Sequence, residues 1–331
     1  MRAVVLHGKQ SLSVETIEVG RLPANEVRIQ VKACGICGTD QHIYHGHPGS
    51  TAAKFPIVLG HELSGVVVEV GEDVKRLKVG DRVSVDPNMY CGLCRFCRNG
   101  QKHLCESLQA IGVTRNGGMG ELCDAPEANC YVMPEEMSFV EGALVEPLGC
   151  VLHGLRKLNV AARHRVLIIG GGFIGQLFLQ AIRSRVANEL VVCESVEAKH
   201  GRLRELGATD VILPPKDDAG RAGAFDIVIE CVGRKETMEL AFAMADRGAQ
   251  VLLFGVASPE TTIAVSPFAI FSKELRVMGS FVNPDTHEEA IALMRRLNVE
   301  PLVSHKFSID DVPEAMGKYP SLGVSKGMIL Y

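Results

Sequence analysis

From Arg165 to Gly255 the chain alternates short, almost continuously apolar runs with helical stretches. RVLIIG (Arg165–Gly170) leads into a helical pattern from Phe173 to about Arg185. LVVCE (Leu190–Glu194), DIVIE (Asp226–Glu230) and QVLLFG (Gln250–Gly255) follow, with helices predicted through Leu206 and through Met244. A strand apolar on both faces must be covered on both faces. Regular strand–helix alternation supplies that cover only when the strands run parallel in one sheet. This half of the chain is therefore predicted to be a doubly wound α/β domain.

The first of these strands ends in Gly170-Gly171-Gly172-Phe173-Ile174-Gly175, which fits G-x-G-x-x-G. Such a turn lets backbone N–H groups and a helix N-terminus approach a pyrophosphate. An acidic residue is expected at the end of the next strand, about 20 residues on, to bind the ribose hydroxyls. Glu194 stands there and favours NAD, since a carboxylate repels a 2′-phosphate; Lys199 nearby leaves NADP open. Val232 and Gly233, just past DIVIE, are expected near the same cofactor.

The first 150 residues carry a different pattern. EVRIQVKA (Glu26–Ala33), LSGVVVEVG (Leu63–Gly71) and DRVSVDP (Asp81–Pro87) alternate apolar and polar residues between Gly, Pro and Asp, which predicts a twisted, partly closed antiparallel β domain. Within it, CGLCRFCRNGQKHLC places Cys91, Cys94, Cys97 and Cys105 in a C-x2-C-x2-C-x7-C spacing. Four thiolates this close suit a tetrahedral zinc whose ligands are all protein, hence a structural site. An iron–sulfur run would bring the fourth cysteine after three residues and follow it with proline. Eleven cysteines, an odd number clustered locally, fit metal ligands and free thiols better than a disulfide framework.

A second set of donors is scattered. Cys37 lies in CGICGTDQHIYHGHP, His61 and Glu62 in GHELSG, and Glu146 in ALVEPLGC. One thiolate, one imidazole and two carboxylates can hold a zinc ion that keeps an exchangeable position, as catalysis requires.

In order, CGICGTD, GHE, VGDRV, the four-cysteine lobe, EP and GGGFIG resemble the zinc-dependent medium-chain alcohol dehydrogenases over essentially the whole chain, most closely the polyol (sorbitol-like) and threonine dehydrogenase branches. The resemblance implies a GroES-like catalytic domain over residues 1–148 with the zinc lobe at 86–106. It further implies a Rossmann domain over 149–280 and a segment, 281–331, that returns to the catalytic domain. It implies two zinc ions per chain, with Cys37, His61 and either Glu62 or Glu146 on the catalytic one, and admits cobalt or manganese in that harder site. Ordinary members carry a second cysteine near EP; Glu146 there points to the polyol and threonine branches. The implied reaction is hydride transfer from a secondary alcohol of a polyol, with or without phosphate, to NAD. Its proton leaves through Thr39, then the nicotinamide ribose, then His42. A threonine-type amino-alcohol dehydrogenase is the alternative, and a non-catalytic nucleotide-binding relative a remote one. A homodimer or homotetramer is implied, with LRVMGSF (Leu275–Phe281) as the edge strand.

Other groups carry plainer expectations. Cys34 reads as a small buried apolar side chain, and Asp40 as a loop-fixing acceptor. His45 and His47 read as surface-loop histidines, and His153 as a packing residue. Arg115 in GVTRNGG reads equally as a phosphate-binding arginine or as a surface or cofactor-side one. A net charge of −4, no basic block, 5% aromatic residues and no Trp argue against nucleic acid and anionic membranes as partners. The most apolar run, Val166–Ile182, holds three consecutive glycines and two glutamines and falls short of the about 20 apolar residues of a bilayer span. With an N-terminus that reads as strand and turn, these features predict a cytoplasmic protein.

Overall fold

The computed structural model describes residues 1–186, 188–215, 222–319 and 322–331. They form two compact units, Met1–Gly149 with Val282–Tyr331, and Cys150–Phe281.

The first unit is built on a seven-stranded sheet and a three-stranded one. At the centre of the larger sheet, Glu26–Ile36 pairs antiparallel with Glu62–Val70 on one side, and with Leu122–Pro126 and Gly327–Leu330 on the other. The alternating apolar residues of these strands meet in one core. Val27, Ile29, Val31, Leu63, Val67 and Val83 are fully buried in it, each worth about 1.5–3 kcal/mol of transfer from water. One pair departs from the antiparallel expectation: His305–Phe307 runs parallel to Gly327–Leu330.

The central strand runs three residues past the predicted EVRIQVKA, to Ile36. Gly35 permits this extension. It pairs with Glu62, and a Cβ on Gly35 would lie 2.0 Å from the Glu62 Oε2 atom. The strand therefore delivers Cys37 directly beside the start of Glu62–Val70. The returning strand is registered with Gly327 opposite Ile36, which carries Lys326 to the same end of the sheet.

The second unit holds a six-stranded, wholly parallel sheet. Its spatial order is Asp210–Ile212, Glu189–Cys193, Arg165–Ile169, Phe225–Glu230, Ala245–Leu253, Arg276–Gly279. This is the 3-2-1-4-5-6 order of a Rossmann sheet, whose reversal lies between the first and fourth strands. The sheet is covered by helices that include Phe173–Ile182 and Lys235–Met244. The glycine-turn helix is shorter than predicted, because its end tightens into a turn with the Arg185 N–H on the Ile182 carbonyl at 2.7 Å. No helix among the described residues is long and apolar enough to cross a membrane.

Candidate active site and metal centres

The four-cysteine lobe folds almost entirely by local bonds. Cys91 Sγ accepts the N–H groups of Leu93 and Cys94, both at 3.4 Å, and Cys105 Sγ accepts those of Cys91 at 3.3 Å and Ser107 at 3.4 Å. All four sulfur atoms lie within 4.8 Å of one another. Backbone N–H groups of Cys97 and Glu106 pull the Cys94 thiol down to about 6, while desolvation and then the neighbouring thiol of Cys94 push Cys97 up to about 12. Four such sulfurs in so small a space, with amides already bonded to them, fit a tetrathiolate zinc.

The scattered donors converge as well, in a buried place. The ligand atoms of Cys37, His61 and Glu62 lie within 4.8 Å of one another. Cys37 caps the helix Gly38–Tyr44, and Gly60, at φ +95°, turns the chain so that His61 and Glu62 follow. Asp40, fully buried, does two things here. Its Oδ2 accepts the Cys37 N–H at 2.8 Å, fixing the loop, and its Oδ1 faces His61 Nδ1 at 3.4 Å. Burial pulls the His61 imidazole toward its neutral form, but Asp40 and Cys37 outweigh it and hold its proton well above the usual range. A carboxylate behind an imidazole is the usual outer support of a metal-bound histidine. One thiolate, one backed imidazole and one carboxylate fit a zinc ion.

The fourth member of this group was not legible in the sequence. Lys326 forms an ion pair with Glu62 Oε2, and both side chains are almost wholly buried, at 4% and 1% exposure. Burial disfavours its ammonium, yet Glu62 and then Cys37 and Tyr319 hold its proton more firmly than in water. The Tyr319 hydroxyl accepts the Gly327 N–H at 3.1 Å, which anchors the neighbouring backbone. The only sequence signal was a lone lysine opening an apolar closing strand.

Glu146 sits buried in the first turn of the helix Val145–Arg156 and is not a member of the Cys37 group. Thr39 and His42 lie three residues apart on the helix Gly38–Tyr44, hence on one face. His42 is half-buried. Burial, then His47 and His45, lower its pKa from the usual histidine value. His45 Nδ1 lies 2.9 Å from the Gln41 carbonyl, and His47 is exposed, with its ring centroid 6.2 Å from that of His42. Arg115 is committed elsewhere: its two Nη atoms grip Glu26 at 2.8 and 2.5 Å, and Nη2 also reaches the Asp124 carbonyl at 3.2 Å. Neither the phosphate-binding nor the surface or cofactor-side reading foresaw this buried carboxylate partner.

In the second unit each glycine of the turn has its own reason. Gly170 takes φ +100°. A Cβ on Gly175 would lie 1.8 Å from the Gly170 carbonyl oxygen, so the helix can start here only with glycine. Gly172, the helix N-cap, faces open space. Phe173 and Ile174 begin the helix, and Glu194 spans the turn from the next strand, accepting the Gly171 N–H at 3.0 Å and the Val196 N–H at 2.9 Å. Lys199 Nζ lies 3.6 Å from the same carboxylate. Val232 leans on the turn: its Cγ2 lies 2.6 Å from where a Gly170 Cβ would be. An open glycine N-cap beside a buried strand-end acid fits a dinucleotide.

Residues 23–135 match the family model of the alcohol dehydrogenase GroES-like domain, and residues 174–298 that of the zinc-binding dehydrogenase. The chain belongs to the zinc-binding alcohol dehydrogenase family. Similar members include D-arabinitol dehydrogenase 1 of Uromyces fabae, 32% identical over 97% of this chain and 94% of that protein. Sorbitol dehydrogenase of Homo sapiens is 32% identical over 95% of this chain and 91% of that one. A structure described as a zinc-binding dehydrogenase of Sinorhizobium meliloti 1021, bound to NADP, superposes with a TM-score of 0.94 at 34% identity, covering 100% of this chain and 99% of that one. As a dehydrogenase of this family the protein is an oxidoreductase that combines a GroES-like domain with a Rossmann domain, and zinc and a nicotinamide dinucleotide are the family's cofactors.

Proposed function

We propose that this dehydrogenase oxidises a secondary alcohol of a polyol or sugar alcohol to the ketone, with NAD as hydride acceptor. The observation that carries the reading is the buried group of Cys37, His61 and Glu62, which holds one thiolate rather than two. The likeness to arabinitol and sorbitol dehydrogenases supports it. Zinc held by Cys37, His61 and a carboxylate supplies a Lewis acid that lowers the pKa of the alcohol, and NAD supplies the carbon that takes the hydride.

The chain's own residues then have distinct tasks. Asp40 fixes the His61 ring and the Cys37 loop. Lys326 holds the Oε2 atom of Glu62. With Glu62 so engaged we assign it, rather than Glu146, as the resting carboxylate; Glu146 stands as the exchanging partner. Thr39, whose hydroxyl both accepts and donates, takes the alcohol's proton and passes one toward His42. The lowered pKa of His42 keeps it neutral, and so able to accept, at neutral pH. Cys91, Cys94, Cys97 and Cys105 hold a second, structural zinc.

On the cofactor side, Gly170, Gly172, Phe173, Ile174 and Gly175 form the pyrophosphate turn, with Val232 and Gly233 bordering it. Glu194 selects NAD by accepting the ribose hydroxyls and repelling a 2′-phosphate. We read Met1–Gly149 with Val282–Tyr331 as the catalytic domain and Cys150–Phe281 as the nucleotide domain. Among the described residues the strand Arg276–Gly279 has one sheet neighbour, and Phe268 and Phe271 on the helix Pro267–Lys273 are 73% and 77% exposed. These features support a homodimer or homotetramer. Among the described residues no two cysteines are joined in a disulfide, which supports a reducing compartment such as the cytoplasm.

A substrate panel read by NADH absorbance tests the reading. It should contain sugar alcohols, their phosphates, 2,3-diols and threonine, each with NAD and with NADP. Turnover on free sugar alcohols with NAD is the expected result. Turnover on threonine alone overturns the substrate class, and a preference for NADP overturns the role of Glu194.

A further inference from the structure

Glu230 closes the strand Phe225–Glu230 and is completely buried. Among the described residues no cation is paired with it. Its Oε1 instead collects three donors: the Val232 N–H at 2.8 Å, the Gly233 N–H at 2.9 Å and the Thr237 hydroxyl at 2.7 Å. Its carbonyl oxygen takes the N–H groups of Phe254 and Gly255, both at 2.9 Å. Its Oε2 has no hydrogen-bond donor and lies 2.7 Å from where a Gly255 Cβ would be. Isolated carboxylates are costly to bury, and three donors on one oxygen offset part of that cost. An apolar residue would fill the same place without it, so the acid has a use beyond packing.

The bonds lead to the nucleotide cleft. Glu230 ends the strand on the far side of the sheet reversal from the glycine turn, where ligands of such sheets bind beyond the strand ends. The Cys231 N–H before this loop is held by the Ile169 carbonyl at 2.9 Å, while among the described residues the Val232 and Gly233 amides have the Glu230 Oε1 atom as their acceptor, and the loop presses Val232 onto Gly170. The same residue fixes the neighbouring crossover, since Gly233 and Gly255 pack backbone to backbone: a Gly255 Cβ would lie 2.2 Å from the Gly233 nitrogen. Through Thr237 it also holds the first turn of the helix Lys235–Met244. The carboxylate thus ties the Val232–Gly233 loop to the helix start, and the main-chain carbonyl of the same residue holds the Phe254–Gly255 crossover beside them.

The geometry points to Glu230 as a positioning residue for the dinucleotide. Its Oε1 sets the Val232–Gly233 loop against the pyrophosphate turn, and so sets cofactor affinity without touching the metal site. This rests on the dinucleotide reading above. The role belongs to the accepting oxygen, so an amide oxygen can substitute for it and a hydrocarbon cannot.

The test is NADH binding to the zinc-loaded full chain, followed by nicotinamide fluorescence, in the wild type, Glu230→Gln, Glu230→Leu and Thr237→Val. Zinc content and melting temperature are measured alongside. Glu230→Leu should weaken NADH by about tenfold or more and raise the KM for NAD while zinc content stays at the wild-type value. Thr237→Val should weaken it by a few-fold, and Glu230→Gln should restore most of the affinity. Wild-type affinity in Glu230→Leu overturns the assignment, as does equal loss in the Gln and Leu variants. Should Glu230→Leu fail to fold, unchanged NADH affinity in Thr237→Val overturns it. A wild-type chain that binds neither NADH nor NADPH defeats the dinucleotide reading itself, a separate outcome.

Discussion

The two groups of metal-competent donors in the first unit are built in opposite ways. The four sulfurs come from Cys91 to Cys105, a stretch held by its own amides, with Cys91 exposed and the others partly or wholly covered. The Cys37 group draws on the end of one strand, the start of another and a returning strand near the C-terminus, and His61, Glu62, Asp40 and Lys326 are all buried. The first group offers four identical, saturating ligands, and its loss should cost the stability of one loop. The second offers unlike ligands, with Asp40 behind the imidazole and Lys326 on the carboxylate, and its loss should cost chemistry. Local closure suits a staple, whereas long-range closure lets the fold set charge, orientation and an open position.

The sharpest way to break this comparison is to remove a ligand from each group. His61→Ala should lower turnover by a factor of about 10³ or more, the scale of losing a catalytic metal's electrostatic help. One zinc per chain should remain by elemental analysis, with little change in melting temperature. A variant that loses both zinc ions would show that the two groups are not independent. In Cys97→Ser the effects should exchange: the lobe's zinc is lost, melting falls by several degrees, and residual activity tracks the folded fraction. A melting point equal to that of the wild type would mean the lobe is not a staple.

Lys326 sharpens the contrast, since among the described residues no such charged group is paired with the lobe's sulfurs. Removing one partner of a buried ion pair costs about 3–5 kcal/mol, and losing an outer support weakens metal affinity by about 10–100-fold. Lys326→Met should therefore melt earlier and surrender one zinc faster to a chelator, while the lobe's zinc leaves at the wild-type rate. Lys326→Arg should recover most of both. Equal release of both ions in Lys326→Met would remove Lys326 from the catalytic group.

The smallest expected effect lies at the outlet of the proton path. His42 accepts only when neutral, and its pKa is lowered from the usual value. Alcohol oxidation should therefore fall as pH drops through that lowered pKa. His42→Ala should lose most just above that pKa, where the wild-type imidazole is neutral and hydroxide is scarce, and little at high pH or once the wild-type imidazole is protonated. The loss should stay below the about hundredfold typical of a direct general base, because water can reach the half-buried site. A pH–rate profile parallel to that of the wild type would remove His42 from the path.

Much of this was legible before any fold was known. The parallel sheet followed from apolar runs that had to be covered on both sides, the glycine turn from its place between strand and helix, and the sulfur lobe from its spacing. These signals are local, built from runs, turns and spacings that each lie within one short stretch. Glu194 could be found because the second strand of such a sheet must end near it. Arg115 shows the limit: its residue type suits phosphate, and only the fold reveals that Glu26, distant in the chain, already occupies it.

What the sequence determined by itself was the pair of architectures and the inventory of donors, because periodicity and turn chemistry act over short stretches. The tertiary structure decided which donors meet. Strand register sets Gly35 against Glu62 and Gly327 against Ile36, and so brings Lys326 to a carboxylate more than two hundred residues away in the chain. The sheet reversal makes Glu230 a brace for a cleft instead of a buried charge. Register and sheet order depend on the sum of contacts across the whole sheet, so no single stretch of sequence carries them.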